Sequence, residues 1–382
     1  MSSFSQRAAG LVAFLLLLSA GGSVQGQTVV CVDASASGNN DGGCWTDAYV
    51  HLQDALDEAR ANPGTDYEIR VAEGTYYPDE DALANDGSND GSQTRDHTAD
   101  DESESFTLVR DGVTVLGGYP SGGGTRAPNV NVTTLSGDLE QNDDPYAPNT
   151  NSDGNGLSPT RFDHINGPNA RHVIFLDGQT GDDITSDTVI DGFTITAGHA
   201  NESGVPTNSG SGVFCDARTS GAVCSPVLQQ LKFVNNHSLR SGGAIINAGF
   251  EGTSSPTIRN VTFAQNTSEL GGAVYNGAGT GGTSNAEFTN ALFTRNWAVS
   301  DGGAIYNNAG SGTVSPILIN VTMVANKASN QGGGMYNDVG SGSSTPSLTN
   351  CQLWGNKTSS SFSQIFNDRA NPVVSHSLIE GS

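Results

Sequence analysis

Four carboxylates crowd one short stretch of the chain: Asp182, Asp183, Asp187 and Asp191, with Arg171 ahead of them and His199 behind. Paired carboxylates are what glycoside hydrolysis requires, and a basic residue beside a carboxylate suits proton transfer or lyase chemistry. The spacing here matches no motif expected of such enzymes. Asp191 falls in a turn, and a chain this acidic gathers carboxylates by composition alone. The expectation is that the four lie dispersed on loops, accepting hydrogen bonds from nearby backbone N–H groups.

Calcium is the one cofactor the sequence suggests. Asp86-Gly-Ser-Asn89-Asp90-Gly and Asn151-Ser-Asp153-Gly-Asn155-Gly supply alternating oxygen ligands with glycine for a sharp turn. Neither is a full EF-hand loop, because no glutamate stands at the closing position. No zinc cluster, phosphate loop or Ser-His-Asp constellation stands out. A third kind of chemistry is stacking. Tyr275, Tyr306, Tyr336 and Phe366 recur at intervals of about 30 residues, following Ile246 in the same column. They are either a surface stripe able to stack on sugar rings, or a column covered by loops and adjacent coils.

The same interval organises the last 160 residues. Five units begin near Ser225, Ser255, Asn285, Ser315 and Thr345. Their first strands read PVLQQLKFVNN, PTIRNVTFAQN, AEFTNALFTRN, PILINVTMVAN and PSLTNCQLWGN. Each is followed by a second short strand, such as GGAIIN (242–247) or GGAIYN (302–307). Leu228, Ile258, Phe288, Leu318 and Leu348 form one apolar column; Leu231, Val261, Ala291, Val321 and Cys351 form another. Phe233, Phe263, Phe293, Met323 and Leu353 form a third. In the second strand, Ile245, Val274, Ile305, Met335 and Ile365 are the better core column, since adjacent residues point to opposite faces. No unit buries its apolar face alone; stacking them in register about 4.8 Å apart buries one continuous core. Asparagine recurs at three positions per unit, where it tolerates left-handed backbone and forms amide ladders between stacked strands. This regularity favours a structural role over glycan attachment at matches such as Asn236-His-Ser and Asn320-Val-Thr.

The pairing of F-x-x-N with a following G-G-A-[ILV] resembles the repeats of polymorphic outer membrane proteins, within the wider pectate-lyase-like family. Phe233-x-x-Asn236 with GGAI, Phe263-x-x-Asn266 with GGAV and Phe293-x-x-Asn296 with GGAI carry it in full. The fourth unit departs with Met323 and GGGM, and the fifth with Leu353 and no glycine pair. The resemblance covers about 225–367 and implies an all-β, right-handed parallel β-helix. Members of the wider family include polysaccharide lyases and hydrolases, so it leaves activity open.

Earlier in the chain, Thr46 to Arg60 is predicted as a helix, capped by Thr46 or Asp47, suited to closing the end of a β-helix. Leu52-Gln53-Asp54-Ala55-Leu56, Val71-Ala72-Glu73-Gly74-Thr75-Tyr76 and Leu135-Ser136-Gly137-Asp138-Leu139 resemble secreted bacterial β-helix proteins. The segment 189–198 aligns Ile190, Phe193 and Ile195 with the inward columns. One domain is therefore expected over 27–382, with irregular coils over 27–224 and regular repeats over 225–373. Polar insertions interrupt it at 79–105 and 140–169.

Residues 1–26 read as a signal peptide: Arg7, an apolar core from Leu11 to Leu18 and small residues before Gln27. No later segment is apolar enough to span a bilayer. In an exported chain the local pairs Cys31–Cys44 and Cys215–Cys224 are the simplest disulfides, leaving Cys351 as a buried thiol. The net charge of −24 excludes nucleic acid as a partner. With only three lysines, Lys232, Lys327 and Lys357, it suits either a salt-rich habitat or simple solubility. The reading favoured is a secreted or cell-surface protein, non-catalytic, of adhesion or glycan-binding type, its partners polysaccharide or cell-envelope components. The rival is a polysaccharide lyase or glycoside hydrolase on the same fold. A third reading is a passenger-like piece of a larger envelope protein.

Overall fold

The computed structural model describes residues 26–80, 102–143, 165–180, 182–361 and 363–381. The chain winds as a right-handed parallel β-helix. Among the described residues, four parallel sheets run along it. The first has ten strands, from Thr28–Val32 to Val373–Ser375, and the second nine, from Gly74–Tyr76 to Leu378–Ile379. A third, of five short strands, runs from His199–Ala200 to Lys327–Ala328, and the fourth has eight, from Phe106–Leu108 to Ile365–Asp368. One regular coil shows the path: Glu287–Thr289, Leu292–Thr294, Trp297–Asp301 and Ile305–Asn308 visit the four sheets in turn.

The eleven-residue run at the start of each unit is therefore two strands, not one. It breaks at Gln230, Asn260, Asn290, Asn320 and Asn350, whose φ angles lie between 53° and 56°. A left-handed residue turns the chain sharply enough to hand it to the next sheet. Glycine is needed where coils approach closest. A Cβ on Gly243 would lie 2.4 Å from Gly272 O, and one on Gly272 the same distance from Gly303 O.

The predicted columns stack in register. Phe233, Phe263, Phe293, Met323 and Leu353 are successive partners in the second sheet, and all are fully buried. The column continues upstream through Ile195 and Leu135 to Tyr76. Neighbouring Phe263 and Phe293 rings stack with centroids 4.5 Å apart. Cys351 lies in its aliphatic column, 1% exposed, and burial pushes its thiol pKa up. The disulfides Cys31–Cys44 and Cys215–Cys224 are present.

The helix spans Leu52–Ala61, shorter than predicted, with no side-chain bond at its N-cap. Asp47 is engaged elsewhere, accepting from Asn39 N, and Tyr49 bridges to the strand residue Val32. Those contacts hold residues 46–51 outside the helix. Its stripe of Leu52, Ala55, Leu56 and Ala59 packs into the core of the first coils. Arg110 donates to Ala59 O and Thr65 O, satisfying carbonyls at and beyond its last turn.

Two asparagine ladders are buried and a third is exposed. Asn236, Asn266, Asn296, Asn326 and Asn356 are at most 1% exposed. Each Nδ2 donates both to the Oδ1 of the next rung and to a backbone carbonyl of the preceding coil; Asn296, for example, donates to Asn326 Oδ1 and Phe263 O, both at 2.9 Å. Each Oδ1 beyond the first rung also accepts the backbone N–H of the rung before it. The last rung closes on a different side chain: Asn356 Nδ2 donates to Gln364 Oε1, and Gln364 Nε2 donates to Glu380 Oε2. The second ladder runs from Asn247 to Asn367, buried as far as Asn337 with its last rung exposed. It starts at Asn247 because the matching position one coil earlier is Cys215, tied up in a disulfide. The exposed ladder joins Asn260, Asn290, Asn320 and Asn350 at the left-handed corners.

Replacing Asn296 with Ala takes the amide partner from Phe263 O and Asn266 N and one bond each from Asn266 Nδ2 and Asn326 Oδ1, in a buried setting. The expected loss is about 3 kcal/mol or more, read from the denaturant midpoint. Asn320→Gly, at a solvent-facing left-handed corner, should stay within about 0.5 kcal/mol of wild type. A second expectation concerns acid. His172 is buried between Phe175 and Phe214, bonded to Gly210 O, and burial lowers its pKa from 6.5 to about 4. The unfolded chain binds this proton first, so the stabilisation is complete above pH 6.5 and is lost as pH falls towards 4. His172→Phe should flatten that acid limb by on the order of 3 kcal/mol, measured by denaturation across the window.

Candidate functional site

The carboxylates singled out in the sequence do not converge. Asp182, Asp183 and Asp187 are exposed on the connection leading into the first-sheet strand Val189–Asp191. The turn bonds expected of them are made instead by Asp177, which accepts from Gln179 N and Thr180 N. Asp191 is 4% exposed and saturated with donors. Arg126 lies 2.6 Å from Oδ1, and Gln230 and Gln229 donate to Oδ1 and Oδ2 at 2.9 Å each. Arg126 also donates to Gly117 O. Asp191 thus fastens the 117–128 loop to the first sheet. Both of its oxygens are engaged in holding that loop.

Arg171 and His199 come near each other, because His199 N donates to Ala170 O. Arg171 pairs with Glu202 at 2.5 Å and lies 3.9 Å from Glu102. The His199 ring packs on His237, centroids 5.3 Å apart. None of the four aspartates joins them.

The aromatic column requires a correction. The aliphatic column faces the core as expected, but Tyr275 and Tyr306 are only 5% and 7% exposed. They form a second apolar cluster outside the main core, with Phe214, Ile246, Phe250 and Leu270 packed against them. Phe250, just past the fourth-sheet strand Ile245–Gly249, and Leu270, at the end of the third-sheet strand Thr267–Leu270, pack over the column, so these two tyrosines are structural. Asn308 donates to Tyr275 Oη at 2.6 Å, and Tyr306 Oη donates to Asp338 at 3.2 Å. Burial pushes the Tyr275 phenol up to about 12 and that of Tyr306 higher still.

The column emerges at its far end. Tyr306, Tyr336 and Phe366 stack nearly parallel, with centroids 4.9 and 5.2 Å apart, and the last two rings are half-buried. Asp301, Asp338 and Asp368 lie close enough to Tyr336 to raise its phenol pKa, after burial itself; Arg369 opposes them. The result is the half-buried end of an aromatic stack, closed by Phe366 and bordered by carboxylates.

The calcium candidates Asp86, Asn89, Asp90, Asp153 and Asn155 lie outside the described residues. Sequence reasoning passed over a neighbouring arrangement, the neck of the 140–169 insertion. Asp138 accepts from Asn142 N and Asp143 N. Asp143 accepts from Asn166 N and Asn169 Nδ2, and burial pushes its carboxyl up to about 6. The matched run Leu135-Ser136-Gly137-Asp138-Leu139 was the available signal. No described helix is long and apolar enough to cross a membrane, which says nothing of a β-barrel.

The profile of the Chlamydia polymorphic membrane protein repeat matches residues 290–308, within the third regular coil. No curated protein matches the chain in sequence. Pectin methylesterase PemA from Erwinia chrysanthemi is similar at 11% identity and a TM-score of 0.33, over 90% of this chain and 89% of that one. A pectin methylesterase in complex with a hexasaccharide gives 10% and 0.30 over the same shares. Likeness this distant carries no statement about activity. On its own strand register the chain is a parallel β-helix, and one of its coils, at 290–308, is similar to the polymorphic membrane protein repeat.

Proposed function

We propose that the protein is exported, with residues 1–26 as its leader, and serves at the cell surface as a non-catalytic binder of neutral glycan chains. The observation that carries this reading is the open end of the aromatic column. Phe366 ends the stack, half-buried, with Tyr336 packed on its other face at a centroid distance of 5.2 Å, the repeat that in-register strands impose. Aromatic faces stack on the C–H faces of sugar rings. Asp301, Asp338 and Asp368 beside them are acceptors for sugar hydroxyls. The same carboxylates, on a chain of charge −24, repel uronates and sulfates, which selects neutral sugars. The polymorphic membrane protein type of the repeat supports a surface location.

The lyase or hydrolase reading has less support, since Asp191 is saturated and Asp182, Asp183 and Asp187 stand apart on an exposed connection. The test is a panel of neutral and acidic polysaccharides assayed for binding and for release of reducing or unsaturated ends. Neutral glycan should bind without product. Tyr336→Ala with Phe366→Ala should weaken binding at least about fivefold, as expected from losing one stacking face worth roughly 1 kcal/mol. Product formation abolished by Asp182→Asn, Asp183→Asn and Asp187→Asn together would install the enzyme instead. Binding untouched by the aromatic pair would remove this strip from consideration.

A further inference from the structure

The neck of the 140–169 insertion gathers negative charge that no lysine or arginine among the described residues answers. Asp138 and Asn169 face each other across an antiparallel bridge, and Ala170 N donates to Gly137 O beside them. Asp143 reaches over the bridge to Asn169 Nδ2 at 2.9 Å. Asp138 is 8% exposed and Asn169 1%. Among the described residues neither carboxylate pairs with a lysine or arginine. Two carboxylates held close with so little water repel each other, and the backbone bonds that fix them do not cancel their charge.

A second, independent feature marks the same spot. Asn169 spends both Nδ2 hydrogens, on Asp143 Oδ2 and on Ala197 O. Its Oδ1 is buried and has no donor among the described residues. Rotating the amide by half a turn would set oxygen against the Asp143 carboxylate and Ala197 O, so the orientation is fixed. A buried amide oxygen without a donor costs about as much as a lost hydrogen bond, and a hard cation removes that cost.

We propose that Asp138, Asp143 and Asn169 Oδ1 form a calcium site that clamps the two stems of this insertion together. The carboxylate oxygens each keep a lone pair beyond the N–H bond they already accept, and the amide oxygen supplies a neutral ligand. Water fills the remaining positions. Ligands pinned by backbone bonds in an irregular neck suit calcium, which tolerates six to eight oxygens, better than magnesium, which demands a tight octahedron. The site is independent of glycan binding at Tyr336 and Phe366.

The test uses the full exported chain, stripped with EDTA and titrated calorimetrically with calcium chloride and, separately, magnesium chloride. Asp143→Asn keeps the shape and removes one charge; it should weaken calcium at least about tenfold, and Asp138→Asn likewise. Magnesium should bind more weakly than calcium. Should either variant fold poorly, hydrogen exchange on the wild-type protein decides: calcium should slow exchange in peptides covering 138–143 and 165–170. Calcium binding unchanged in D143N, as when Asp86, Asp90 or Asp153 hold the ion instead, overturns the proposal. So does exchange at the neck that ignores calcium.

Discussion

Every regular coil bends around one buried asparagine. At that corner the backbone leaves the second sheet, and its carbonyls and N–H groups lose the ladder partners that strands supply. The asparagine amide replaces them, donating to Phe263 O or its equivalent and accepting the N–H of the rung before it. An aliphatic side chain would fill the space and leave those backbone groups dry and unpaired. The amide–amide bond forms only if the next coil puts its own asparagine, or the closing Gln364, at the same height. The ladder therefore enforces the register on which every apolar column depends.

Register has a consequence for what lies outside the barrel of sheets. Any residue type repeated once per coil becomes a continuous stripe, whether or not it has a role beyond packing. The tyrosine column shows how such a stripe is divided. Where coils carry large residues beside the column, such as Phe250 after one strand and Leu270 at the end of another, the rings are sealed. Where that cover is thinner, at Tyr336 and Phe366, the same geometry stays partly open to solvent. Access to the stripe is thus decided by the segments that flank it rather than by the strand that carries it.

Much of this was legible in the sequence because period and chemistry agree: Phe233, Phe263 and Phe293 announce one column and Leu228, Ile258 and Phe288 another. The finer path was not. Gln265, Arg295 and Ala325 adopt left-handed backbone with φ near 55–60° yet carry no residue type that advertises it. Stacking on the neighbouring coil overrides local preference there. The exposure of Tyr275 and Tyr306 was equally hidden, since alternation says which face a residue is on and nothing about what covers that face. Asp191 looked like part of an acidic cluster because its real partners, Arg126, Gln229 and Gln230, are distant in sequence and adjacent only after winding.

The buried ladder also has a direction. In each rung the amide nitrogen points towards the later coil and the oxygen towards the earlier one, from Asn236 through Asn356. Aligned amide dipoles polarise one another, as peptide units do in an α-helix. The positive end of this column is relayed through Gln364 to the carboxylate of Glu380, while at the opposite end Asn236 Oδ1 accepts Gly198 N. An anion thus sits at the pole that favours one. The solenoid axis is electrically polar, and its two ends are chemically unlike even where the coils between them are near copies.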